Sequence, residues 1–187
     1  MHARRLNLGC GSRKLPGFLN VDASPECQPD AIVDLESLPW PFEDGSAQEI
    51  LLSHVLEHLG PTPSSFLGIM KELYRVCAPG ALIRILVPHP RHDAFLIDPT
   101  HVRAILPETL QLFSKAKNRE WRERGVANTP LALQLDVDFE IDRVAYDLDE
   151  PWKGRLARAE LDRDALEEAI KSHANVVAQV EIVLRAR

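Results

Sequence analysis

The chain predicts an α/β fold, a single domain built on a mostly parallel sheet of about seven strands, with the last strand antiparallel and helices reduced on one face. Three observations carry this expectation. Short apolar strands alternate with crossover connections, as neighbouring parallel strands require. A pair of glycines, Gly9 and Gly11, follows the first strand directly. Acidic residues, Asp22 and Asp34, end the second and third strands. Glycines in that place let the backbone turn sharply and leave bare N–H groups toward a bound molecule. An acid at the tip of the next strand is placed to accept hydrogen bonds from a vicinal diol, and the ligand crevice of such a sheet lies outside the carboxyl ends of its strands.

The elements follow in order. Leu6 to Leu8 is the first strand, Phe18 to Val21 the second and Ala31 to Val33 the third. The stretch LESLPWPFEDGS has two X-Pro steps and an Asp44-Gly45 turn signal, so it reads as an ordered loop. Glu49 to Ser53 makes a fourth strand that runs straight into His54-Val55-Leu56-Glu57-His58. A helix opens across Pro61 to Ser65. Its apolar residues Phe66, Ile69, Met70, Leu73 and Val76 keep helical spacing, and Pro79-Gly80 stops it. Ala81 to Val87 is the most apolar stretch and reads as a central strand. Residues 89–130 are rich in proline and histidine with little periodicity, apart from a helix starting near Pro107. Alternation over residues 133–147 predicts a sixth strand, Arg155 to Ser172 a charged helix, and Val176 to Leu184 the last strand. The links after the first two strands have only about ten residues, too few for full helices, so one sheet face is expected to be thinly covered and buried by a second copy in a homodimer.

Composition bounds the function. The 187 residues are 45% hydrophobic, enough for one domain with a real core. With 22 basic against 28 acidic residues and a net charge of -6, the chain offers no general field for phosphate backbones or anionic lipid, so neither nucleic acid nor a membrane is an expected partner. Cys10, Cys27 and Cys77 lack metal-type spacing and suit a reducing compartment. No apolar run approaches the ~18 residues of a membrane span, and a cytoplasmic location is expected.

A dinucleotide fits poorly. Lys14 stands where GxGxxG needs a small residue, and Asp22 comes too soon for a ribose acid expected ~20 residues on. A phosphate-binding Walker loop fails as well, for want of Gly-Lys-Ser/Thr after the glycines. The motifs LNLGCGS, NVDAS, VDLESLPWPFEDGSAQEI, SHVLEHL and KELYRVCAPGALIRILVP, in this order, resemble the class I S-adenosylmethionine-dependent methyltransferases over Leu6 to Pro88. The resemblance implies a Rossmann-like fold and S-adenosyl-L-methionine as cofactor. Gly9, Cys10 and Gly11 would border its methionine part, and Asp22 would bind the ribose hydroxyls. Asp34 and Leu35 would meet the adenine edge, with Ser53 and His54 forming the floor beneath the sulfonium. Asn7 stands where the family usually has an acid, and can hydrogen-bond the amino acid head without charge. No helix precedes the first strand, so cover for the cofactor is expected from residues 89–130. The resemblance thus divides the chain 1–187 into a cofactor-binding half (1–88), a variable lid and substrate segment (89–130) and C-terminal strands and helix (131–187).

His54-x-x-Glu57-His58 matches a zinc-protease pattern in letters only, because that pattern needs a helix and here it follows a strand. It also resembles the ExxEH metal site of some O-methyltransferases, with His54 for the first acid; a hydrogen-bonded cap at the strand end is the other reading. Among the histidines of the variable segment, His101 and then His92 are the candidate general bases, His101 because Asp98-Pro99-Thr100 could hold and orient its ring. Histidines exposed on a loop are the alternative for both, and for His89. Trp40, Trp121 and Trp152 read as packing anchors. The expected activity is methyl transfer to a small-molecule or saccharide acceptor. A protein that binds the cofactor without catalysis, or an interaction module on the same fold, is the alternative.

Overall fold

The computed structural model describes residue 1 and residues 4–187. Five strands run parallel: β1 (Arg5–Leu8), β2 (Leu19–Asp22), β3 (Ala31–Ile32), β4 (Ala47–Ser53) and β5 (Cys77–Pro88). Two more, β6 (Phe139–Leu148) and β7 (Val177–Ala186), complete one sheet of seven in the order β3-β2-β1-β4-β5-β7-β6. The last strand, β7, is antiparallel, as the sequence led us to expect, and it inserts between β5 and β6. From β1 the chain moves outward to β2 and β3 and then returns to β4 on the other side of β1. The strand order therefore reverses at the carboxyl end of β1, where the glycine turn lies.

One face carries the core. Helix α1 (Pro63–Val76) starts on a reciprocal cap: the Thr62 hydroxyl accepts from the Ser65 N–H while the Ser65 hydroxyl accepts from the Thr62 N–H. Its Phe66, Ile69, Met70, Leu73 and Val76 are buried in one cluster with Ile50, Leu52, Ile83, Ile85 and Ile182 of the sheet. The helix passes directly into β5 at Cys77, earlier than the expected stop. Cys77 already pairs with Ala47, and Pro79 and Gly80, with Gly80 at φ +81°, form an excursion before regular pairing resumes at Leu82.

The second half of the chain is more helical than its sequence suggested. Residues 89–130 contain α2 (Asp93–Leu96), α3 (Pro107–Gln111) and α4 (Lys115–Glu123). Ile105, Leu110 and Phe113 within that stretch are at most 1% exposed, so part of it is a core layer. The helix expected from Pro107 breaks because Ser114 caps α4, accepting from the Lys117 N–H. Leu131, Ala132 and Leu135 turn as α5 (Leu131–Leu135), ended by Asp136 at φ +55°, so β6 begins later than its alternation implied. The charged helix divides into α6 (Trp152–Ala157) and α7 (Arg163–Ser172), with Ala159 at φ +56° and Asp162 capping the second.

The opposite sheet face is thinly covered, and it is charged rather than apolar. Leu51, Leu82 and Leu86 are only partly buried there. Arg5 pairs with Glu49 on the neighbouring strand, and Glu181 of β7 meets both Arg84 and Arg143. No helix among the described residues is long and apolar enough to cross a membrane.

Candidate functional site

The glycine turn is shaped by one contact. Gly9 sits at φ +64°, and a Cβ there would stand 2.5 Å from Val55 Cγ2, so only glycine lets the loop after β1 lie against the loop after β4. Gly11, at φ +50°, has open space where its Cβ would be. The Asp22 carboxylate is fixed by two backbone donors, Gly11 N–H to Oδ2 at 2.8 Å and Ser24 N–H to Oδ1 at 2.9 Å. Each oxygen keeps a lone pair, so Asp22 is pre-oriented and can still accept from a ligand.

Around this turn Gly9, Asp22, Asp34, Leu35, Val55 and Leu59 line a cleft of about 140 Å³. Four of these are residues that the sequence assigned to a ligand. Asp34 accepts from the Glu36 N–H and from the Ser37 hydroxyl, which together hold its carboxyl below the usual carboxylate range. Leu35 is fixed from behind, its carbonyl accepting from the indole N–H of Trp40, a packing anchor 2% exposed. Asn7 and Cys10 are turned to other work. Asn7 is buried and its amide donates to the Arg13 carbonyl and to Asn20 Oδ1, both at 2.9 Å, which braces the glycine loop from below. The Cys10 thiol is pushed up by burial and then by Asp22, which keeps it an inert small side chain.

Ser53 ends β4 opposite Leu86, and His54 leaves the strand in a left-handed turn at φ +55° with its side chain 48% exposed. The turn drives the next residues inward. Glu57 is fully buried, and neither carboxylate oxygen has a hydrogen-bond partner. Its nearest basic group is His54 Nδ1, 3.5 Å from Oε1, which is long for a hydrogen bond. Glu57 is also the main cause that raises the His54 pKa, working against burial. Leaving a buried polar group unmade costs on the order of 1–3 kcal/mol, and more for a charged one.

The backbone carbonyl of Glu57 accepts from the Val102 and Arg103 N–H groups, which brings the variable segment onto this turn. His101 thereby stacks on Phe95, ring centroids 5.1 Å apart, and meets His58 in a tilted contact at 4.6 Å. The His101 Nδ1 donates to the Phe95 carbonyl at 2.8 Å. Thr100, expected to orient His101, orients His58 instead. Its hydroxyl donates to Asp98 Oδ1 at 2.6 Å and so accepts from His58 Nδ1 at 2.9 Å. Those Thr100 bonds, with His101 and His58 adding less, hold the Asp98 carboxyl below its usual range.

His92 and His89 stand apart from this group. His92 caps α2, its Nδ1 accepting from the Ala94 N–H, while Nε2 donates to Asp149 at 2.9 Å, so both ring nitrogens are occupied and the ring tethers α2 to the end of β6. His89 is buried with its pKa lowered, and its Nδ1 accepts from the Arg91 N–H. Sequence reasoning missed Val55 and Phe95 as shaping residues. Nothing in the spacing of Val55 or Phe95 marks them, since one acts through a methyl contact and the other through a carbonyl.

No protein-family model matches the sequence, and no curated protein does. Solved structures do match. A SAM-dependent methyltransferase from Archaeoglobus fulgidus aligns with a TM-score of 0.64 at 17% identity, over 98% of this chain and 86% of that one. An S-adenosylmethionine-dependent methyltransferase from Mesorhizobium loti aligns with a TM-score of 0.53 at 16% identity, over 98% and 90%. The [4+2]-cyclase SpnF aligns with a TM-score of 0.54 at 17% identity, over 98% and 74%. Likeness at such identities speaks for architecture. With its strand order and antiparallel penultimate position in the sheet, this chain has the class I S-adenosylmethionine-dependent methyltransferase fold.

Proposed function

We propose that the protein binds S-adenosyl-L-methionine and transfers its methyl group to a small-molecule or saccharide acceptor. The observation that carries this reading is the Asp22 carboxylate, held by Gly11 and Ser24 at the edge of a cleft whose far wall is Asp34 and Leu35. A pre-oriented acid suits a ribose diol, an apolar slot beside Leu35, Val55 and Leu59 suits an adenine ring, and the open Gly11 turn suits the amino acid end. The cofactor supplies an already activated methyl on its sulfonium. The protein's task is then alignment for in-line attack and removal of the acceptor's proton. Of the two candidate bases, His101 has its side chain 7% exposed and His92 has both ring nitrogens bonded within the protein. The three cysteines are free, in keeping with a cytoplasmic location.

Incubation with methyl-labelled cofactor and fractionated metabolite pools tests the reading. Label is expected to pass to a small-molecule fraction. A second reading is cofactor binding without methyl transfer, on a fold that a [4+2]-cyclase also has. Cofactor that binds and is recovered with its methyl intact from every pool would favour that second reading.

A further inference from the structure

We infer that Glu57, His58 and His101 form a binding site for a divalent first-row transition metal ion. One donor atom from each lies within 4.8 Å of the other two. The acid is the independent pointer. Glu57 is fully buried, with both oxygens unpartnered, and it points into a group of two imidazoles. The basic group nearest that carboxylate is the His54 imidazole, 3.5 Å away and long for a hydrogen bond, and a metal would supply a full cation.

The hydrogen bonds around the rings agree with this role. His101 Nδ1 faces a carbonyl oxygen, which can only accept, so that nitrogen carries the proton. His58 Nδ1 faces a hydroxyl already donating to Asp98, so it too carries the proton. In the neutral rings Nε2 therefore holds the lone pair, with His101 Nε2 3.9 Å from Asp98 Oδ2, and outer partners that fix the tautomer in this way are the usual support of metal-binding histidines. Donors bound at roughly 2.0–2.2 Å to one ion lie about 3–3.5 Å apart, so side-chain shifts on the order of an ångström would close the site. His54 Nδ1 lies 3.5 Å from Glu57 Oε1 but is not among the mutually close donors. Two imidazoles and one carboxylate favour the transition metals over magnesium or calcium, which prefer oxygen alone. A bound ion would ease proton loss from an acceptor hydroxyl, a role that rests on the methyl-transfer reading; metal binding itself does not.

The test is titration of the chelator-stripped 187-residue chain with Co²⁺, followed by visible absorption, without S-adenosylmethionine. The expected result is saturation at one ion per chain, with affinity lowered at least about tenfold in both Glu57→Gln and His101→Ala and unchanged in His173→Gln, an exposed histidine control. The two variants lie on different segments, and circular dichroism checks that each is folded. Absence of saturable binding to the parent would overturn the site, as would parent affinity in whichever variants fold or an equal loss in the control. Cofactor affinity, measured separately by calorimetry, reports on the function reading alone.

Discussion

Replacing Gly9 by alanine separates the two reasons for glycine in the turn. The left-handed backbone at φ +64° costs a side chain about 1–2 kcal/mol. The new Cβ would also stand 2.5 Å from Val55 Cγ2 and 3.0 Å from Cγ1, an overlap the buried valine cannot escape by rotating one methyl, which adds about 1–3 kcal/mol. Gly9→Ala is therefore expected to lose roughly 2–5 kcal/mol, whereas Gly11→Ala, at φ +50° with nothing within 4 Å of its Cβ, carries only the first part, about 1–2 kcal/mol. Urea unfolding measures both. In a domain of this size each kcal/mol lowers Tm by about 2–4 °C, so the two variants are resolved by melting as well. In the Val55→Ala background the penalty of Gly9→Ala is expected to fall toward that of Gly11→Ala. Equal losses for Gly9→Ala and Gly11→Ala in the parent background would refute the steric argument.

Other residues make independent tests. Glu57→Met replaces an unpartnered buried carboxyl with an apolar chain of similar length and is expected to stabilise the metal-free protein by about 1–3 kcal/mol in urea unfolding; a loss of stability would mean that the carboxyl has partners in solution. His92→Ala removes the α2 cap and the Asp149 tether, and is expected to cost about 0.5–2 kcal/mol while turnover of an identified acceptor stays near the parent value; a hundredfold fall in turnover with cofactor affinity kept would make His92 the base after all. Glu72 has its pKa depressed, chiefly by Arg75, so its stabilising effect is complete above its ordinary value of 4.5 and is lost as pH falls through the lower folded value. The stability gap between the parent and Glu72→Gln should accordingly shrink below about pH 4.5 in acid unfolding curves, and a gap constant down to pH 2 would contradict the pairing.

The strands up to β5 and the cleft were legible because each depends on short-range signals. Glycine after a strand, an acid at a strand tip and helical spacing in Phe66 to Val76 all act within a few residues of where they stand. Boundaries failed where local patterns overlap. Leu133 and Leu135 alternate as a strand would, yet Leu131 and Leu135 also sit four apart, and the helical turn won. Pro107 announced a helix, but Ser114 is an equally good cap and started another. The histidine group was half legible. His54-x-x-Glu57-His58 was visible as letters, and Asp98-Pro99-Thr100-His101 as a turn. What joins them is the Glu57 carbonyl accepting from Val102 and Arg103, a pairing across more than forty residues that no spacing rule encodes. Asn7 and Cys10 could not be read from sequence, since a residue beside a ligand loop can face it or brace it from beneath.

Calorimetric titration of S-adenosylmethionine into the parent protein and into Asp22→Ala tests the central claim most directly. The account predicts saturable binding to the parent. Loss of bonds from the ribose hydroxyls to a carboxylate fixed by Gly11 and Ser24 should cost roughly 1.5–3 kcal/mol, on the order of ten- to a hundredfold in affinity. Asp22→Ala that binds as tightly as the parent, or a parent that does not bind, would contradict the assignment of this cleft.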